Sequence, residues 1–334
     1  MKACDVCGTL NFKENNYCIH CGNKLILEHV CPHCGQYNPD VAIHCVKCGK
    51  QINPIKIDDF DILFSEYNQN LLLNAEISDE EYNRLLSKIF ARAEYSNIYG
   101  NTAKEKILNL ASIFTQCKPK SRGIERGYIF LGNCIYYDDR LDDSVQISTL
   151  IHELAHYLLF DIIEQLLCDV FKVKPSTTLQ TFVWYFLTLP EFKIMNEYCA
   201  HTVEGRFIPY GYQNYGSFNS LIAQPDFDKS SLNDMVVFGN TFANEIIVYL
   251  EKYIGVDLRE EIKLQYKKDL KIPSYDSLNI ETNDCLSLSV KNSVLLRVLW
   301  DIFKLASNDD VRKELEEIKE GIELISLVLF LLCL

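Results

Sequence analysis

No apolar run in this chain is long enough to cross a bilayer. The longest is the tail Leu324–Leu334, eleven residues including Ser326, against about 20 for a spanning helix, so a packed terminal helix is expected there. No secretory leader is expected either, because Met1-Lys2 runs into Cys4 with no apolar stretch between them. Positive charge is in short supply: 33 Lys and Arg face 46 Asp and Glu, for a net charge of −13. No basic patch stands out, and an acidic field does not gather phosphate backbones, so nucleic acid is not an expected partner. Outside one stretch cysteine is sparse as well. Cys117, Cys134, Cys168, Cys199, Cys285 and Cys333 stand alone and read as small buried apolar residues. A reducing, cytoplasmic setting fits this usage. At 334 residues with 48% hydrophobic content, the chain can bury one large core and carry a small second domain.

The remaining eight of 14 cysteines form four Cys-x-x-Cys pairs within the first 48 residues. They are an internal repeat with a period of 27 residues: Cys4, Cys7, Cys18 and Cys21 recur as Cys31, Cys34, Cys45 and Cys48. Gly8, Asn11 and Gly22 recur as Gly35, Asn38 and Gly49. In each knuckle the turn aims two sulfurs at one ion, and glycine permits the tight backbone that points amides at those sulfurs. Four knuckles make two Cys4 zinc sites. A redox Cys-x-x-Cys needs a βαβ setting that this turn-rich stretch lacks. With four sulfurs per site, His20, His29, His33 and His44 read as bystanders. Over residues 1 to about 50 the chain resembles the double zinc ribbon found at the ends of many bacterial and archaeal proteins. Five lysines, four acids and no arginine lie in it, and each Zn(Cys)4 centre adds about −2 of charge. Phe12, Tyr17 and Tyr37 read as its core. Protein recognition is therefore expected of it rather than DNA binding.

After Gln51–Asp59, which reads as a linker, the pattern turns helical. Ser78-x-x-Glu81 and Thr102-x-x-Glu105 are capping boxes that open helices near 79–94 and 103–117. Gly127–Tyr137 reads as one kinked strand or two short ones. Asp143-x-x-Gln146 caps a helix near 145–160. Further helices are expected near 161–172, 177–188, 190–207, 231–254, 258–270, 286–305 and 309–332.

The most informative stretch is Thr149-Leu-Ile-His-Glu-Leu-Ala-His-Tyr-Leu158. His152 and His156 are four apart and share a helix face, the spacing that lets two imidazoles bind one tetrahedral zinc. Glu153 lies between them, placed to act on a zinc-bound water. Apart from Glu153, no charged residue occurs between Thr149 and Phe160, so the helix is expected to be buried. A third ligand is needed. A later histidine in the His-Glu-x-x-His-x-x-Gly-x-x-His pattern fails, because Leu159 and Ile162 stand at those positions. The acidic candidates are Glu164, Glu191, Glu197 and Glu204. Glu164 is near on the same helix and points poorly. Glu191 suits the first turn after Pro190. Glu197 is the best placed, in Asn196-Glu-Tyr-Cys-Ala-His201.

With these two motifs the chain resembles a gluzincin metallopeptidase, and is most similar to compact cytosolic regulatory peptidases of bacteria. The resemblance covers roughly residues 127–209. It implies Glu197 as third ligand, Glu153 as general base and hydrolysis of a peptide bond. One position departs: where the family carries Asp or Asn four residues after the ligand glutamate, this chain has His201. His201 is then an acceptor for a ligand imidazole, a ligand itself, or a donor to the transition state; Glu204 shares its face and is placed to orient it. Tyr210, Tyr212 and Tyr215 are further donor candidates.

The expected whole is a double zinc ribbon at 1–50, a linker at 51–58, and an α+β, mainly helical zincin-like metallopeptidase domain with a small β-sheet at 59–334. Its cofactors are one catalytic and two structural Zn2+; its partners are a peptide or protein substrate and a protein bound through the ribbon. The rival is a regulatory or interaction protein on a metallopeptidase fold that no longer cuts.

Overall fold

Short strands and long helices make up the described residues of the computed structural model: 2–3, 10–11, 20, 31, 33–36, 38, 44–50, 55–94, 97–120, 126–130, 134–224, 232–270, 288–306 and 308–332. The chain divides into two units, Met1–Lys56 with Lys172–Lys174, and Ile57–Phe171 with Pro175–Leu334. In the first, β1 (Lys2–Ala3) pairs antiparallel with β2 (Leu10–Asn11), and β3 (Ile55–Lys56) pairs parallel with β7 (Val173–Lys174).

The second unit is mostly helical with a small mixed sheet. It begins with α1 (Phe60–Leu63), α2 (Glu66–Leu73), α3 (Asp79–Glu94) and α4 (Ala103–Phe114). Both expected capping boxes form: Ser78 Oγ accepts from Glu81 N at 3.3 Å and Thr102 Oγ1 from Glu105 N at 3.2 Å, with each glutamate reaching back. The fourth helix stops at Phe114, short of the expected 117, because Gln116–Pro119 leaves it to become strand β4. β4 pairs parallel with β6 (Cys134–Tyr137), and β6 pairs antiparallel with β5 (Gly127–Phe130), so β5 is an edge of the three-stranded sheet.

The sheet leads into α5 (Asp143–Phe171), 29 residues without glycine or proline. This single helix replaces the two expected at 145–160 and 161–172. Ile147, Leu150, Ile151, Leu154, Ala155, Leu158 and Leu159 are all essentially unexposed, as suits a helix buried on most faces. The expected Asp143–Gln146 cap does not form. Gln146 Nε2 donates to the Asp139 and Leu141 carbonyls instead, and Asp269 Oδ2 accepts from Ser144 N at 3.0 Å. The helix ends without glycine, on Lys172 at φ 56°, the left-handed turn common just past a helix C-terminus.

Then follow α6 (Thr177–Thr188), α7 (Pro190–Phe207), α8 (Gly216–Ile222), α9 (Leu232–Leu250), α10 (Val256–Asp269), α11 (Leu288–Leu305) and α12 (Asp309–Leu332). α7 packs between α5 and α9. Gly239 of α9 makes one contact possible, since a Cβ there would sit 2.7 Å from the Met195 carbonyl of α7. Phe182 of α6 closes the core on Phe64 and Phe303, with ring centroids 5.6 and 4.8 Å away. Among the described residues no helix is long and apolar enough to cross a membrane.

Candidate metal centre

Where α5 packs on α7, three histidines and two glutamates converge. His152 and His156 present their Nε2 atoms to each other at 3.1 Å. Their Nδ1 atoms point outward to oxygen acceptors: His152 Nδ1 to Glu204 Oε2 at 3.1 Å, and His156 Nδ1 to Asn196 Oδ1 at 2.6 Å. An acceptor at Nδ1 places the proton there, so a neutral ring carries a bare lone pair on Nε2. Two lone pairs facing each other at this range repel; a proton on one of the nitrogens, or a metal ion between them, removes the conflict. Ligand atoms around a tetrahedral zinc ion lie roughly 3.3 Å apart. Glu197 adds Oε2 at 3.7 Å from His152 Nε2 and Oε1 at 3.9 Å from His156 Nε2. The facing nitrogens, the nearby Glu197 carboxylate and the outer acceptors together suit a bound metal ion.

The same appetite for positive charge shows in the titrations. Burial disfavours a charged His152, yet the Glu197 and Glu204 carboxylates outweigh it and hold that imidazole well above its usual range. Burial, together with the neighbouring His152 charge, pushes His156 down to about 4. Glu197 and Glu204 are both held below the usual carboxylate range, burial being overcome by their histidine partners. Glu153 behaves differently. Burial pushes its carboxyl up to about 7, and it lines the cavities on both sides of the centre.

His201 is placed otherwise than as acceptor for a ligand imidazole. Asn196 and Glu204 fill that role, while the His201 Nδ1 lies 3.4 Å from Glu204 Oε2. Its Nε2 lies 2.5 Å from Ser217 Oγ and 3.9 Å from Glu197 Oε2. His152, Glu197 and His201 each offer a ligand atom within 4.8 Å of the others. Ser217 Oγ donates to Glu197 Oε2 at 3.1 Å. The tyrosines do not line these cavities: Tyr210 is 86% exposed, Tyr212 donates to the Leu270 carbonyl, and Tyr215 packs beside the His201 ring. Glu164 is buried against Asp161 and Gln180 in a separate cavity. The Glu191 side chain lies outside those described.

Sequence reasoning missed two members of this centre. Asn196 adjoins Glu197 in the motif, but nothing in a sequence tells an outward asparagine from one bonded to a ligand histidine. Ser217 comes from α8, a seven-residue helix with no side-chain cap, twenty positions beyond the glutamate it serves.

In the N-terminal unit a second cluster forms from Cys31, Cys34, Cys45 and Cys48. Cys31 Sγ lies 3.6 Å from Cys48 Sγ, and Cys34 Sγ lies 3.6 Å from Cys45 Sγ. The two knuckles are built alike. Cys31 N donates to the Gln36 carbonyl and Gly35 N to that of Cys31; Cys45 N donates to Lys50 and Gly49 N to Cys45. Gly35 and Gly49 adopt φ of 71° and 70°, which only glycine takes at no cost. Residues 4–49 match the family model of the double zinc ribbon. The ribbon's second half thus supplies a four-sulfur set suited to a structural zinc ion. Asn38, the residue repeated from Asn11, ties its knuckles together: Nδ2 donates to the Gln36 carbonyl and Oδ1 accepts from Val46 N. Cys4, Cys7, Cys18 and Cys21 lie outside the described residues, as do His29, Phe12, Tyr17 and Tyr37. No curated protein and no solved structure matches the chain.

Proposed function

We propose that this protein is a zinc-dependent peptidase of the zincin type, with the ribbon as an adaptor for a protein partner in a reducing compartment. The observation that carries the reading is the pair of facing Nε2 atoms at 3.1 Å, each fixed by an acceptor on its Nδ1. Two features of the sheet edge favour a peptide over other hydrolysable substrates. Among the described residues β5 pairs with β6 alone, and Gly127, Tyr128 and Ile129 of that edge line the cleft with His152, Glu153 and His156. Backbone groups on an edge strand can pair with an extended peptide; on this edge Ile129 N already serves the Glu153 carboxyl. The absence of a side chain at Gly127 lets the strand lie close to α5, where a Cβ would collide with Thr149 Cγ2 and stand 2.9 Å from the Tyr136 carbonyl.

Zinc, when held by His152, His156 and Glu197, would activate water and polarise a carbonyl. Glu153 takes the proton of the attacking water and delivers it to the leaving amine, work suited to a carboxyl raised to about 7. His201, backed by Glu204, is the donor for the developing oxyanion once its Nε2 exchanges Ser217 Oγ, 2.5 Å away, for that oxygen; such a donor is worth about 3–4 kcal/mol. Glu204 and Asn196 keep the ligand rings oriented.

Glu153→Gln is the direct test. The variant is expected to fold and to bind the same number of zinc ions as the wild type while losing hydrolysis of an unstructured protein substrate. Cleavage at the wild-type rate would sink the mechanism, and a zinc-loaded wild type that cuts no unstructured protein would sink the peptidase reading.

A further inference from the structure

Two cavities meet at the metal centre, and they differ in chemistry. One, of 560 Å³, is walled by Tyr128, Phe160, Trp184 and Leu187. The other, of 310 Å³, is walled by Arg126, Ser148, Thr149, Asn214 and Ser217. Both include His152 and Glu153, so a chain lying across the reacting atoms enters both. We propose that the cleft selects its substrate by a carboxylate. Arg126 and Asn214 bind an acidic side chain or a terminal carboxylate on one side of the scissile bond, and the aromatic cavity takes a large apolar side chain on the other. The proposal rests on the peptidase reading and names its substrate class.

Among the described residues Arg126 is the only lysine or arginine in the polar cavity's wall. Its backbone is anchored at the start of β5, the Arg126 carbonyl accepting from Asp138 N at 2.9 Å. No ion pair to a described carboxylate engages its guanidinium, so its planar fork is open to a bidentate oxygen pair. Asn214 complements it. Its Oδ1 already accepts from Gly216 N at 2.8 Å, which leaves the Nδ2 donors for a ligand acceptor. The hydroxyls of Ser148 and Thr149 spend their hydrogens on the Val145 carbonyl, so they do not rival these donors. Glu204 of this wall is shared between His152 and His201 and is not paired with Arg126. Lys193 stands at the border of the aromatic cavity, so the effect must be assigned by position rather than by substrate charge alone.

The test uses the full-length, zinc-loaded chain and fluorogenic peptides that differ only by Glu or Gln at each of three positions on either side of the cleaved bond. A second pair ends in a free carboxylate or an amide. The acid is expected to be preferred about tenfold in kcat/KM at positions on one side only, and Arg126→Glu is expected to turn the preference toward Lys. Preference at an internal position assigns the side chain as the source, and preference only in the second pair assigns the terminus. Glu/Gln ratios near one throughout, or a preference that survives Arg126→Glu and disappears in Lys193→Glu, would overturn the proposal. Binding of the same peptides to zinc-loaded Glu153→Gln reads the carboxylate preference without turnover. Should the wild type cleave nothing, the peptidase reading fails, and the Kd ratio still decides whether Arg126 binds a carboxylate.

Discussion

Glu204 Oε2 accepts from His152 Nδ1 at 3.1 Å, one carboxylate oxygen fixing the ring that begins the metal motif. The same oxygen lies 3.4 Å from His201 Nδ1, so Glu204 contacts both His152 and His201. In the proposed centre it stands outside the donor set and Glu197 within it. Glu197→Ala should release the metal of this centre, while Glu204→Gln should retain it with affinity lowered about 10–100-fold, the usual cost of losing an outer acceptor. Metal titration of the two single variants checks this. Tight retention in Glu197→Ala with loss in Glu204→Gln would reverse the roles.

Gly239→Ala tests the seating of α7. Alanine normally stabilises a helix interior by up to about 1 kcal/mol. Here the added carbon would meet the Met195 carbonyl at 2.7 Å, and a backbone atom cannot swing aside. A net loss of about 1–3 kcal/mol is expected from urea unfolding, with weaker zinc binding because Asn196 and Glu197 follow Met195 directly. A gain in stability would mean that α9 has room to move.

Gly49→Ala and Gly49→Asn separate backbone strain from crowding in the ribbon. No atom lies within 4 Å of the added carbon, and φ is 70°, so only conformation is at stake. Alanine should cost about 1–2 kcal/mol and asparagine less, since asparagine visits the left-handed region. Zinc affinity of the isolated ribbon cluster, measured by competition with a chelator, should fall in that order. The stronger change, Cys31→Ser with Cys34→Ser, should remove one zinc ion per chain and leave the unfolding midpoint of the larger unit in place.

Glu164 sets a pH dependence. Burial pushes its carboxyl from 4.5 up to about 7, and its Oε1 has no hydrogen-bond partner. Between those values the unfolded chain has lost a proton that the folded chain keeps. The contribution is complete below about 4.5 and is lost as pH rises through about 7, a change of at most about 3 kcal/mol. Glu164→Gln should therefore be more stable than the wild type near pH 8 and gain nothing near pH 4. Parallel urea curves at both pH values check the sign; equal gains at both would assign the effect to something other than ionisation.

Local signals carried most of the helical layout. Ser78–Glu81 and Thr102–Glu105 are contained in four residues each, and the structure starts α3 and α4 there. β4 was not legible, because Gln116–Pro119 is a strand only through its parallel partner Cys134–Tyr137, more than a dozen residues on. Gln146 had the spacing of a cap partner, but two loop carbonyls outbid the helix terminus for its amide. In the site, the four-residue spacing put His152 and His156 on one face of α5, and the seven-residue span put Glu197 and Glu204 on one face of α7. Which glutamate faces the ring nitrogens and which stands behind them depends on how the two helices cross, and a sequence does not contain a crossing angle.

The long α5 has a dynamic consequence. His152 has nine helical residues before it and His156 has fifteen after it, so end fraying does not reach either imidazole. Amide hydrogens around the motif should exchange with solvent only through near-global opening, because the surrounding residues are core on most faces. The spacing of the two imidazoles is thus as durable as the fold of the larger unit. Breathing of the centre is expected first on the α8 side, where Ser217 is exposed, since α7, like α5, is largely buried.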